Sequence, residues 1–425
     1  MRKKLFKPLT LALATAMLFS VSCQDALETN YVPESDNAKT GTIKRSAEDA
    51  IEWALSFKNG QPGNQSRSNA TANLADVKVI TSATSRSNAD TLIYAVNYAD
   101  NAGYALISAS CQTEPVLGYV ESGTFDEERV AENPSYSYFL SEAKRYAAAP
   151  QRMGDLYPPK PIDKITYVND SIPPRLKVAW SEYYPEGYYF KDQKCGCVQT
   201  ATAQVMSYLE QPKSITLTYP NKDKNVENIN WNKLKQHKKS SFYCYDCPLT
   251  NEEHLVLARL CRQIGYLNQS YKVENGIRVD GGAAVDRNNV FNSIESLLPN
   301  NIIRKYLANI DGIELYEYLN AREHIAMLGG YYKDKNSDEY KGHAWVCDGG
   351  RRIGYYNTFT LIGGQKEYFS GEVFLHYNWG CGGMDNGYFL STIFNPSKGK
   401  EYDNPGDGYN EETYDLLRWH IILKK

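Results

Sequence analysis

A chain of 425 residues has room for two or three folded units and a full apolar core. Its 47 basic and 50 acidic residues are mixed along the chain and leave a formal net charge of -3, which argues against a nucleic-acid-binding arm and against a polybasic membrane patch. Tyrosine is frequent, at 34 residues, a composition suited to sheets and to peptide-binding surfaces.

The first 22 residues combine a basic start (Arg2, Lys3, Lys4, Lys7), an apolar stretch over 9–19 and small residues ending at Ser22. That is the pattern of an export signal, too short and too early for a spanning helix. Cys23 follows directly and resembles the acylated first residue of bacterial lipoproteins, although Ser20 stands where leucine is commoner. Lipidation at Cys23 is the favoured reading, with plain secretion as its alternative. Residues 23–45 are polar and read as a tether, and no later segment is long and apolar enough to cross a bilayer.

Ser46 and Asp49 form a capping-box pattern ahead of an apolar helix with Ile51, Trp53, Ala54 and Leu55. Strands are expected at 91–98 and 103–110, joined by a turn at Asp100, Asn101 and Ala102, with a third at 116–120. Residues 46–148 thus read as a small α+β unit. The span 149–175 carries Pro150, Pro158, Pro159, Pro161, Pro173 and Pro174, and reads as an extended, exposed linker and a natural site of nicking. Beyond it, residues 176–425 offer helices at 197–210, 250–267 and 285–297 and strands concentrated after 340, which predicts an α+β fold. Leu257, Leu260, Cys261 and Ile264 repeat at helical spacing and place Cys261 on a buried face.

Eight cysteines follow Cys23, too few over this length for a dense disulfide framework. Cys197 begins a helix whose apolar stripe is Val198, Ala201, Val205 and Leu209, after the turn at Gly196. Unpaired N–H groups at a helix start favour a thiolate, the form that attacks carbonyl carbon. A buried helix-start thiol without chemistry fits the periodicity equally well. His343 lies in an apolar strand pattern, 342–349, whose alternation puts His343, Trp345 and Cys347 on one face. An imidazole there needs a partner, and Cys197 is the candidate. His237, His254, His324 and His420 sit in polar or helical contexts and read as solvated, while His376 is open. Cys244 and Cys247 form a C-x-x-C pair with no second pair at zinc spacing, so a local disulfide or free thiols are expected there, with no metal and no cofactor.

Three ordered motifs carry a resemblance: Gly196-Cys197-Val198-Gln199-Thr200-Ala201-Thr202-Ala203-Gln204, Gly342-His343-Ala344-Trp345-Val346 and His376-Tyr377-Asn378-Trp379-Gly380-Cys381-Gly382-Gly383. Together they resemble the streptopain and interpain family of papain-like cysteine peptidases. The segments 94–98, 103–109 and 115–119 resemble that family's inhibitory prodomain. The resemblance implies a zymogen whose 46–148 unit inhibits an endopeptidase domain over 176–425, with a helical part carrying the cysteine and an antiparallel sheet carrying the histidine. It assigns Cys197 as nucleophile, His343 as general base, Asn378 as the group orienting the imidazole and Trp379 as its shield from water. Gly342 and the loop containing Gly281 and Gly282 would line the substrate cleft. The implied partners are protein or peptide substrates and the prodomain itself, with the membrane added if Cys23 is acylated. The implied location is the bacterial outer membrane or cell surface, with release of the mature peptidase outside.

Two departures stand out. The family's glutamine upstream of the nucleophile, a donor to the oxyanion, is matched here by Glu182 after Trp180 and Ser181, and a carboxylate cannot donate. Gln193 and the backbone N–H of Cys197 are the remaining donor candidates. Cys381 stands where a second tryptophan is common. The alternative reading is a surface lipoprotein that keeps the peptidase fold for binding, with Glu182 as the mark of lost turnover.

Overall fold

The computed structural model describes residues 44–59, 74–82, 90–148, 166–183, 185–190, 194–218, 224–240, 249–269, 273–274, 277–278, 287–306, 310–333, 340–361, 364–394 and 419–425. Cys23, Gln193, Cys244, Cys247, Gly281 and Gly282 lie outside them.

Local chemistry builds the first unit as the sequence predicts. The Ser46 N–H donates to the Asp49 carboxylate at 2.9 Å and the Asp49 N–H to Ser46 Oγ at 3.1 Å, a reciprocal cap for helix α1 (Ala47–Asn59). Helix α1 buries Ala50, Trp53, Ala54 and Phe57 against strands β1 (Leu74–Thr81), β2 (Thr91–Tyr98), β3 (Tyr104–Ser108) and β4 (Val116–Val120). Asp100 and Asn101, both at positive φ, make the turn between β2 and β3. Helix α2 (Pro134–Ala148) closes the unit.

The second unit places helix α3 (Cys197–Leu209), the β6 (Ser214–Thr218) and β7 (Lys224–Asn228) pair, α4 (Trp231–Leu234), α5 (Asn251–Leu267) and α6 (Arg287–Leu297) before most of its sheet. A short hairpin of β8 (Val273–Glu274) and β9 (Ile277–Arg278) lies between α5 and α6. Then come β10 (Ile302–Tyr306), α7 (Gly312–Ala321), β11 (His324–Lys333), β12 (Tyr340–Leu361), β13 (Gly364–Asn378), β14 (Gly387–Leu390) and β15 (Trp419–Lys424). With β5 (Thr166–Ile172) taken from the span before α3, this is the α+β order expected.

The two units share one antiparallel sheet, in the order β1-β2-β3-β4-β14-β13-β12-β11-β15-β10. The seam is β4 on β14, where Tyr119 faces Tyr388 and Gly118 faces Phe389. Period-2 alternation divides the core between the two faces. On β12, Trp345 and Cys347 join the apolar cluster shared with the first unit, whereas Ala344 and Val346 join the cluster under α3, α5 and α6.

Aromatic rings seal the seam. Phe139 of α2 is fully buried, with its ring centroid 4.6 Å from Phe389 and 6.3 Å from Trp379. Phe139→Ala should therefore cost about 3–5 kcal/mol. Urea unfolding of the full chain checks this: one cooperative transition should split into two, with the first unit melting earlier.

Two expectations change. Residues 166–172, inside the span read as an exposed linker, form β5 and pair with β12, Ile172 opposite Gly350. Their backbone groups find a sheet partner that local proline content does not reveal. The four histidines read as solvated are all buried, at 1 % exposure for His237, 9 % for His254, 8 % for His324 and 1 % for His420. Polar neighbours in sequence do not decide which way an imidazole turns. His324 Nδ1 bonds the Tyr318 carbonyl at 2.8 Å, and His237 Nε2 bonds Ser240 Oγ at 3.0 Å.

Candidate active site

Gly196 lets the chain enter α3. It sits at φ +101°, where a Cβ would also meet Gln199 Oε1 at 3.1 Å, and it leaves Cys197 as the first helical residue. Val198, Ala201, Val205 and Leu209 anchor the helix in the core below. The partly exposed Cys197 is thereby set against β12. Its Sγ lies 4.0 Å from the Gly342 carbonyl oxygen, and the backbone N–H groups of Ala344 and Val198 face the sulfur. Those contacts bracket His343, which is partly exposed and sits opposite Gly330 in the sheet.

The electrostatics oppose the thiolate that the helix start favours. Burial pushes the Cys197 thiol up to about 12, the Glu182 carboxylate adds to the shift, and the N–H groups of Ala344 and Val198 offset only part of it. Glu182 is held in place through its backbone, because its carbonyl accepts the Cys195 N–H at 2.8 Å. The Glu182 charge is thus close enough to act on the Cys197 sulfur.

Asn378 pairs with Val346 in the sheet, three residues from His343. Its Nδ2 donates to the Val178 carbonyl at 3.1 Å and its Oδ1 accepts the Gly380 N–H at 3.1 Å. In this form its amide therefore ties the entry of the second unit to the loop after Trp379. Trp379 is 1 % exposed, donates its indole N–H to the Asp385 carbonyl at 2.8 Å and packs 5.7 Å from Trp345.

The first unit roofs this region. A cavity of about 810 Å³ lies between residues 122–134 and a floor that includes Glu182, Lys194, Ser240 and Cys381. Asp385 accepts hydrogen bonds from Tyr104 at 2.8 Å and from Asn133 at 3.1 Å, and the Cys381 thiol donates to Asn133 Oδ1 at 3.4 Å. Cys381 thus meets the first unit at Asn133. Burial, and after it the charge of Glu182, raises the Cys381 thiol as well.

Residues to which the sequence assigns no role complete the picture. His376 Nδ1 lies 2.6 Å from Asp348 and Nε2 lies 3.4 Å from Glu121 of the first unit. Burial lowers its basicity, but the Asp348 and Glu121 carboxylates outweigh that and raise it to about 9. Asp348 also accepts the Leu176 N–H at 2.9 Å, so this charged pair fixes the start of the second unit. Among the described residues no cluster of His, Cys, Asp and Glu could hold a metal ion.

The Spi protease inhibitor family matches residues 43–147, and the Peptidase C10 family matches residues 176–389. Thiol protease/hemagglutinin PrtT of Porphyromonas gingivalis is 23 % identical over 359 residues, covering 75 % of this chain and 36 % of that protein. The chain therefore spans about a third of that relative's length. Streptopain of Streptococcus pyogenes is 24 % identical over 324 residues, covering 69 % of this chain and 73 % of streptopain. Among solved structures, a Prevotella intermedia prointerpain A fragment aligns over 82 % of this chain and 98 % of its own, at 17 % identity and a TM-score of 0.48. With half of its residues matched by one enzyme family and an inhibitor module directly before them, the chain belongs to the Peptidase C10 family and is a cysteine peptidase preceded by an inhibitor-type prodomain.

Proposed function

We propose that the chain is an exported endopeptidase zymogen in which Cys197 is the nucleophile and His343 the general base. The observation that carries this reading is the seat of the Cys197 sulfur, at a helix start and against the 342–344 stretch of β12. His343 takes the Cys197 thiol proton as the sulfur attacks a peptide carbonyl, and passes that proton to the leaving amine. Water then hydrolyses the thioester with His343 as base. As the family resemblance implies, Asn378 would orient the imidazole once its amide leaves Val178 and Gly380, Trp379 would shield that contact from water, and Gly342 lets a peptide backbone pass close to the sulfur. Glu182 makes the oxyanion site poor in donors, which leaves the Cys197 N–H as one and Gln193 as a candidate for another. Gly281 and Gly282 are proposed to line the same cleft.

In the latent form the prodomain covers the cleft and the thiol stays protonated. Cutting within 149–175 by the enzyme itself releases the peptidase, while an acylated Cys23 keeps the prodomain on the membrane. Natural substrates are extracellular proteins or peptides.

Iodoacetamide labelling of the full chain, mapped by mass spectrometry before and after incubation that removes the prodomain, tests the site. Labelling should become selective for Cys197 after processing and extend into mildly acidic pH. Slow labelling spread evenly over the thiols would instead favour a binding protein on a peptidase fold.

A further inference from the structure

Behind the cleft wall lies a buried polar chain that the peptidase reading does not use. Glu186 is fully buried, Ser240 is 3 % exposed and His237 is 1 % exposed. Ser240 Oγ donates to Glu186 Oε1 at 2.5 Å, and His237 Nε2 lies 3.0 Å from Ser240 Oγ, set to donate to it. The second carboxyl oxygen, Glu186 Oε2, is buried with no hydrogen-bond partner among the described residues. A carboxylate would leave that oxygen charged and unsolvated, whereas a neutral acid leaves only an unused O–H.

The three residues lock the wall from both sides. Glu186 belongs to the turn that follows Glu182, closed by the Gly187 N–H on the Tyr183 carbonyl at 2.7 Å. The 237–240 segment is stitched to the stretch before Glu182. The Ala179 N–H bonds the Lys238 carbonyl at 2.7 Å, the Ser240 N–H bonds the Ala179 carbonyl at 3.3 Å, and the Trp180 indole bonds the His237 carbonyl at 2.7 Å. Gly382, in the loop after Trp379, sits so close to the same segment that a Cβ would fall 2.3 Å from the Ser240 carbonyl oxygen.

We propose that Glu186 is a positioning residue for the peptidase reaction, clamping the Glu182-bearing wall through Ser240 and His237. The clamp depends on protons. Burial raises Glu186 to about 8, against the Ser240 hydrogen bond and the residue's own backbone N–H, which oppose the shift, with His237 Nε2 3.9 Å from Glu186 Oε1. Burial also lowers His237 to about 4, with His254 of α5 adding repulsion from behind. The other charged groups near the wall, Glu182 and Lys239, face the cavity.

Glu186 contributes stability that is full below its ordinary 4.5 and is lost as pH rises to about 8. His237 contributes stability that is full above its ordinary 6.5 and is lost as pH falls to about 4. The two slopes cancel between 4.5 and 6.5, so the wall is firmest there and loosens toward pH 8.

This inference rests on Cys197 and Glu182 forming the cleft, so the test has two arms, both comparing wild type with Glu186→Gln as full chains. Glutamine is a permanent mimic of the neutral acid. Between pH 6.5 and 8 the melting temperature of wild type should fall by about 2 °C beyond that of Glu186→Gln. In peptide hydrolysis by the self-processed proteins, the alkaline midpoint of kcat/KM should lie higher for Glu186→Gln. Superimposable melting profiles would overturn the inference, and so would an unchanged midpoint, which would leave Glu186 a structural residue only. If neither protein hydrolyses peptide at any pH, the peptidase reading fails, and the melting profiles still decide whether Glu186 titrates as a clamp.

Discussion

Cys197→Ala should abolish peptide hydrolysis, lowering kcat/KM by at least about 10⁴-fold, and the full chain should then persist uncut during incubation. His343→Ala should come close to the same loss. The double variant should be no worse than either single one, because nucleophile and base act as one unit. Fluorogenic peptide turnover and gel analysis of the incubated chain read both effects. A Cys197→Ala chain cut as fast as wild type would show that processing is done by another protease. The expected loss is this large because the Cys197 thiol, among the described residues, is set against the Gly342 carbonyl, while Cys261 and Cys347 are wholly enclosed in the core.

Glu182→Gln should raise activity, by about 100 to 1,000-fold if the restored amide reaches the oxyanion. Two effects act in the same direction. Glutamine supplies the donor that a carboxylate lacks. It also removes the second-largest cause of the high Cys197 value, so the thiol should ionise at lower pH. Burial, the largest cause, is untouched by the substitution. At about 12, only on the order of one thiol in 10⁵ is ionised at pH 7. The gain should therefore appear in processed enzyme, as higher kcat and as iodoacetamide labelling shifted to lower pH. An unchanged kcat would mean that another group, with Gln193 the first candidate, already serves as donor.

Much of the fold was legible because it is built from local rules. The capping pair Ser46 and Asp49, the turn at Asp100 and Asn101 and the helix after Gly196 each depend on residues within one turn of each other. The strand holding His343 shows its alternation directly, with Trp345 and Cys347 in one cluster and Ala344 and Val346 in the other. Distant pairings were not legible. Nothing local in 166–172 announces β12 as its partner, and nothing in 116–120 announces β14. The polar chain of Glu186, Ser240 and His237 was hidden for the same reason. Its members lie 54 residues apart, and lysines flank His237 in sequence.

The β4–β14 seam also sets how long inhibition lasts. The hydrogen bond from Tyr104 to Asp385 closes a loop of 281 residues, a closure costing on the order of 5 kcal/mol in chain entropy. That cost is met once, as the chain folds, and from then on the two strands face each other at an effective concentration fixed by the tether and independent of how dilute the protein is. One cut in the tether turns the same contacts into a bimolecular complex. In a small enclosed volume the severed prodomain would rebind and hold the enzyme silent, whereas in open fluid dilution alone would separate the pieces. The seam therefore makes latency a matter of where the cut occurs as much as of whether it occurs.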